Sequence, residues 1–161
     1  MELNDLYSEK ILAIAANQPL APRLPEPHGS ARKVSRVCGS LIEVDLRLED
    51  GVVAAYGHDL SACALGQTSA AVVARQIVGS SPAELRALRE SMHRMLKEEG
   101  APPDGKWADL RYLEPVRAYR PRHASTLLVF DAVVEALDRA EARLAAQPEE
   151  SPSRESLADG S

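Results

Sequence analysis

Between Ser40 and Tyr56 the chain alternates apolar and polar residues around a tight-turn signal, and no other segment constrains the fold so strongly. Leu41 and Ile42 are followed by Val44, Leu46 and Leu48, with Glu43, Asp45 and Arg47 between them. Successive side chains on a strand point to opposite faces, so this spacing predicts a half-buried strand over residues 40–48. Glu49-Asp50-Gly51 predicts a hairpin turn, and Val52 to Tyr56 the return strand.

The flanks read as helices. Leu6, Ile11, Leu12, Ile14 and Ala15 give helical spacing over residues 4–17. Pro19, Pro22, Pro25 and Pro27 then predict an extended connector. From Ala64 a run of small residues leads to Gly79, which suits a helix C′ position. Small side chains allow close packing, so this helix is expected at the centre. Ser81 as N-cap, Pro82 at N1 and Glu84 at N3 predict a capping box, opening a helix that runs to about Glu99 before Gly100. Residues 101–121 carry four prolines and read as irregular, with Leu110, Leu113 and Val116 marking a short packed turn. A last helix is expected from about Ser125 to Ala145, its apolar face made by Leu127, Leu128, Phe130, Val133, Val134 and Leu137. The fold class is α+β, a small antiparallel sheet covered by helices. One domain is expected over residues 1–146, followed by a disordered acidic tail at 147–161.

Composition excludes several function classes. At 161 residues, 45% hydrophobic and 27% charged, the chain has the makeup of a soluble domain. Net charge is −5, and the tail supplies most of it through Glu149, Glu150, Glu155 and Asp159. The remainder is near neutral, with no broad basic face for nucleic acid. The apolar runs are far shorter than a membrane span, and the N-terminus lacks a secretory pattern, so a cytoplasmic protein is expected. There is no CxxC, HExxH, GxSxG, P-loop or GxGxxG, and nothing supports a common hydrolase, kinase or dehydrogenase.

The chemistry centres on two cysteines, Cys38 and Cys63. In a reducing compartment they are free, metal-binding or reactive rather than paired. Gly39 leaves the backbone beside Cys38 open to approach. Cys63 directly precedes the small-residue helix, and a helix N-terminus favours a thiolate. The competing reading is two ordinary buried cysteines. His123, just before the last helix, is of a type that ligates zinc or iron. His58 is a weaker candidate near Cys63, and His93 reads as solvated surface. Arg117, Arg120 and Arg122 form a small basic cluster, which suits either an acidic partner or a solvated loop. Trp107, the only tryptophan, is expected to anchor the irregular segment with its ring.

The order of these parts resembles the IscU/SufU/NifU N-terminal family of iron–sulfur cluster assembly scaffolds. The parts are an N-terminal helix with Leu6-Tyr7, a proline connector, Cys38-Gly39 before a hairpin, Cys63 opening an Ala/Ser-rich helix, and a basic segment entering the last helix. The resemblance covers roughly residues 5–140 and is nearest the SufU type, whose insert corresponds to residues 101–119. It implies a U-type fold with about three strands, no enzymatic activity, and a transient iron–sulfur cluster or zinc. It also implies a cysteine desulfurase and recipient apoproteins as partners; a monomer is expected.

The family site uses three cysteines and an aspartate. Cys38 matches the first cysteine, and Cys63 the second, with Ala62 in place of a glycine. Ser40 falls at the aspartate, Arg122 at a basic position, Phe130 at an aromatic one, and Ser125 at the third cysteine. A hydroxyl is a poorer ligand than thiolate or carboxylate. His123 is the candidate replacement, provided residues 122–125 are extended so that positions 123 and 125 point the same way. The expected function is a scaffold or sulfur acceptor that binds iron, a nascent cluster or zinc through Cys38 and Cys63. The alternative is a degenerate module that keeps the fold and acts through protein interaction.

Overall fold

A computed structural model of the chain describes residues 7–36 and 39–146. It holds a three-stranded antiparallel sheet in the order β1 (Gly29–Ser35), β2 (Ser40–Glu49) and β3 (Val52–Ser61). The expected hairpin is present. Leu48 pairs with Val53 and Glu49 with Val52, while Asp50 and Gly51 turn the chain with φ of 55° and 79°. Two successive positive φ values define the turn whose twist matches that of the flanking strands. The return strand continues past Tyr56 to Ser61. Its far half escapes the sequence pattern because Gly57 and Asp59 interrupt the apolar signal. Strand β1 is likewise hidden in Gly-Ser-Ala-Arg-Lys-Val-Ser, which buries one apolar side chain, Ala31. Its place follows from pairing with β2, Ala31 opposite Val44.

Strand β2 sends Ile42, Val44, Leu46 and Leu48 into the core. Over that face lies α4 (His123–Ala146), packed along β1 and β2. Next to it runs α2 (Ala64–Gln76), which contacts α1 (Glu9–Ala16), α4 and the insert segment, the central place its small residues predict. Thr68 Oγ1 of α2 donates to the Ile11 carbonyl at 3.1 Å, and Ser69 Oγ to that of Thr126 at 2.8 Å. Helix α3 (Pro82–Lys97) packs against α4 from the other side.

Residues 105–118 are not irregular. They form a run of 3₁₀ turns, Gly105–Ala118, that buries Trp107, Leu110, Leu113 and Val116. These residues recur every three positions, the spacing at which side chains eclipse on a 3₁₀ helix. Trp107 is the expected anchor, and its Nε1 donates to Glu84 Oε2 at 2.9 Å. This engages the Glu84 carboxylate expected to close a capping box. What remains is the Ser81 cap, whose Oγ accepts from the Glu84 backbone N–H at 3.1 Å.

The proline connector crosses the sheet face opposite the core. Asp45, one residue out of phase with the apolar positions of β2, is 1% exposed. Its carboxylate accepts from Arg23 Nε at 2.5 Å and the Arg23 terminal nitrogen at 3.0 Å, from the Leu24 N–H at 3.0 Å and from Ser30 Oγ at 2.6 Å. Gly57 is paired with Asp45, and a Cβ there would sit 2.0 Å from the Pro22 carbonyl oxygen. The His58 N–H donates to the Ala21 carbonyl at 2.8 Å. The expected start of the first helix at residues 4–6 and the acidic tail at 147–161 lie outside the described residues.

Candidate functional site

Cys63 is the N-cap of α2, with φ −69° and ψ 172°. Its carbonyl accepts the first helical bond, from the Gln67 N–H at 2.9 Å, while its thiol makes no capping bond. Free N–H groups and the helix dipole make this end hospitable to negative charge. The side chain is half-buried against the core.

Ser125 is brought to the same spot. Its Oγ lies 3.5 Å from Cys63 Sγ, and the residue is 1% exposed. The approach depends on Gly66, in the first turn of α2. A Cβ there would meet Ala62 Cβ at 2.9 Å and the Ser125 carbonyl oxygen at 3.2 Å. Only a glycine lets the first turns of α2 and α4 come this close. The sequence reading did not single out Gly66, although a glycine inside an otherwise helical run is a signal of close approach.

Cys38 lies outside the described residues. The two residues after it, Gly39 and Ser40, are described. Ser40 opens β2 and is buried, and Leu41 pairs with Ser61 two residues before Cys63. The register therefore puts the start of β2 and the start of α2 at one end of the sheet.

His123 is not brought to Cys63. Helix α4 begins at His123, after a 3₁₀ turn over Arg120–Arg122, so residues 122–125 are not extended. Positions two apart on a helix diverge. Ser125 faces Cys63, whereas the buried His123 points its Nε2 at the carbonyls of Val116 at 3.0 Å and Arg117 at 3.2 Å. Carbonyls only accept, so Nε2 carries the proton and serves as a donor holding the end of the insert. Burial pushes its pKa down, the carbonyl bonds oppose this, and Lys97 and Arg120 add to the lowering.

His58 is also engaged locally, its Nδ1 3.1 Å from the Tyr56 hydroxyl, and burial lowers its pKa. His93 is half-buried rather than solvated, with Nε2 2.9 Å from Asp131 Oδ1. Of the basic cluster, Arg117 is held by Gly100 and Glu114, and the Arg122 carbonyl accepts from Thr126 Oγ1 at 2.8 Å. Among the described residues no three His, Cys, Asp or Glu side chains are grouped to hold a metal ion. The described donors at the Cys63 end of the sheet include one thiol, Cys63, and the hydroxyls of Ser125 and Ser40.

No family model matches the chain. The iron–sulfur cluster assembly scaffold protein IscU of Thermotoga maritima is 26% identical over 134 residues, which cover 83% of this chain and 94% of that protein. The crystal structure of a nitrogen-fixing NifU-like protein, N-terminal part, from Brucella abortus superposes with a TM-score of 0.84 at 47% identity, covering 87% of this chain and 97% of that one. A protein of Fervidobacterium islandicum assigned as an iron–sulfur cluster assembly scaffold of the SUF system superposes with a TM-score of 0.76 at 18% identity, covering 84% and 99%. The last likeness is one of fold.

Proposed function

The chain belongs to the IscU/SufU/NifU-like family of iron–sulfur cluster assembly scaffolds, and on that premise we propose that it carries iron, a nascent cluster or zinc as cargo at the Cys38–Cys63 end of the sheet. The observation that carries this reading is the Cys63 thiol, uncommitted to capping at the start of α2 and 3.5 Å from the hydroxyl that takes the third-cysteine position. A thiolate there donates to the cargo, and Cys38 supplies the second sulfur. The Ser125 hydroxyl is a weaker donor than a thiolate, which suits cargo that is held briefly and handed on.

The same thiols suit sulfur acceptance. A Cys63 thiolate attacks the outer sulfur of a desulfurase persulfide; one S–S bond forms as another breaks, and the desulfurase thiolate leaves. The protein thus works as a scaffold, with a cysteine desulfurase and recipient apoproteins as partners. Its working domain is residues 1–146, it acts as a monomer, and its place is the cytoplasm, where thiols stay reduced. No described helix is long and apolar enough to cross a membrane.

Anaerobic reconstitution of the reduced full chain with iron, sulfide and a desulfurase tests the reading. Bound metal near one equivalent, with a visible charge-transfer spectrum lost in Cys63→Ala, is the expected result. The sparse donor set among the described residues favours one second reading, a family member that keeps the fold and binds no stable cluster. Wild-type protein that takes up neither iron nor zinc, yet still binds the desulfurase, would establish that reading instead.

A further inference from the structure

A second feature is a cleft lined in part by His123, two residues before Ser125 in α4. The C-terminal end of α3, the end of the 3₁₀ run and the first residue of α4 enclose its volume of about 540 Å³. That size falls within the roughly 300–1,000 Å³ of small-molecule sites. Its wall carries three cations, Lys97, Arg117 and Arg120, against one carboxylate, Glu99, and His123 also lines it.

Among the described residues two of these cations are not neutralised, and Arg117 is paired with Glu114 alone. Elsewhere on the surface Arg23, Arg86, Arg89 and Arg139 each sit on a carboxylate. Among the described residues neither Lys97 nor Arg120 has a carboxylate within ion-pair distance. Arg117 donates to the Gly100 carbonyl at 2.8 Å and to Glu114 at 3.0 Å through one terminal nitrogen. Its Nε is sealed from solvent with no acceptor among the described residues. A sealed charged donor without an acceptor is unusual and costly. His123 donates its Nε2–H to two carbonyls and adds no negative charge.

We propose that this cleft binds a small polyanion, of the phosphorylated or polycarboxylate class, through Lys97 and Arg120 together with the fixed guanidinium of Arg117. Two mobile cations facing one orientated guanidinium suit a ligand with two or more anionic oxygen groups. A cleft of this volume suits a small molecule. Glu99 opposes the ligand and limits its affinity. Cys63 is not among the residues lining the cleft.

Isothermal titration of the full chain at low salt tests this, with pyrophosphate and citrate as probes and acetate as the monovalent control. Saturable binding of pyrophosphate or citrate well above that of acetate is expected, and the tighter of the two names the class. Lys97→Ala and Arg120→Ala should each weaken it about tenfold or more, as loss of a charge-assisted hydrogen bond does. Both residues are exposed, and circular dichroism verifies that each variant folds. Glu99→Gln should tighten binding, and Cys63→Ala should leave it unchanged. Arg32→Ala, on β1, should also leave it unchanged; an equal loss there would mean diffuse surface charge and overturn the site. No saturable binding of either probe, or binding undiminished in the Lys97→Ala/Arg120→Ala double variant, overturns it too. Binding of an acidic peptide where both probes fail would replace it with a protein-docking surface.

Discussion

At the scale of single residues, the proposed cargo site puts the question of ligand strength on Ser125. Its Oγ already lies 3.5 Å from Cys63 Sγ, so Ser125→Cys places a third sulfur with no backbone change. Under reducing conditions the variant should bind zinc at least about tenfold more tightly than wild type, since thiolate replaces a hydroxyl as ligand. Competition with a chromophoric chelator measures it; equal affinities would show that position 125 does not face the metal. The place of Cys63 was legible because the helical signal starts one residue later, at Ala64. The place of Ser125 was legible only through the family resemblance. His123 was misjudged because α4 starts at His123 rather than near Ser125, and Pro121 hides the 3₁₀ turn that leads into it. Two residues of helix were enough to turn a candidate ligand toward the insert.

At the scale of elements, the insert and the connector do more than their proline content suggests. The three-residue period of Trp107, Leu110, Leu113 and Val116 is visible in the sequence, but a template of 3.6 or 2 does not find it. The connector is a strap fixed to one sheet face by two cross-strand partners. Asp45 holds Arg23 and Leu24, and Gly57, paired with Asp45, leaves room for Pro22. Gly57→Ala must push Cβ into the Pro22 backbone, so it should destabilise the fold by about 1–3 kcal/mol, as other overpacking changes do. Hydrogen exchange at His58, whose N–H donates to Ala21, should accelerate in this variant relative to Val44 in the sheet centre. Unchanged exchange at both positions would mean that the strap accommodates the methyl group. Alternation found β2 and the turn, whereas β1 and the far half of β3 were invisible because pairing, not side-chain pattern, makes them strands.

At the scale of the whole molecule, stability should follow pH through groups whose proton affinity changes on folding. His28, His58 and His123 all have lowered pKa values, with burial the first cause in each. His28 Nδ1 accepts from the Leu48 N–H at 2.9 Å, a bond that protonation would break. The unfolded chain takes up protons near pH 6.5 that the folded chain refuses, so this stability is complete above about pH 6.5 and is lost as pH falls below it. Asp45 acts lower. Burial alone would raise its pKa, but the bonds from Arg23, Ser30 and Leu24 outweigh this and hold it below the usual value. Its contribution is therefore present above about pH 4 and lost as pH falls further. Urea midpoints should decline in two stages, and Asp45→Asn should remove the lower one; a single stage unaffected by that change would rule out the strap as an acid-sensitive element. The strap has one more consequence. By pairing with His58 it closes part of the free border of β3, which would otherwise offer unmatched peptide groups to any passing strand. Gly57→Ala, which displaces the strap without removing α1, should therefore favour edge-to-edge association, and light scattering at rising concentration measures it.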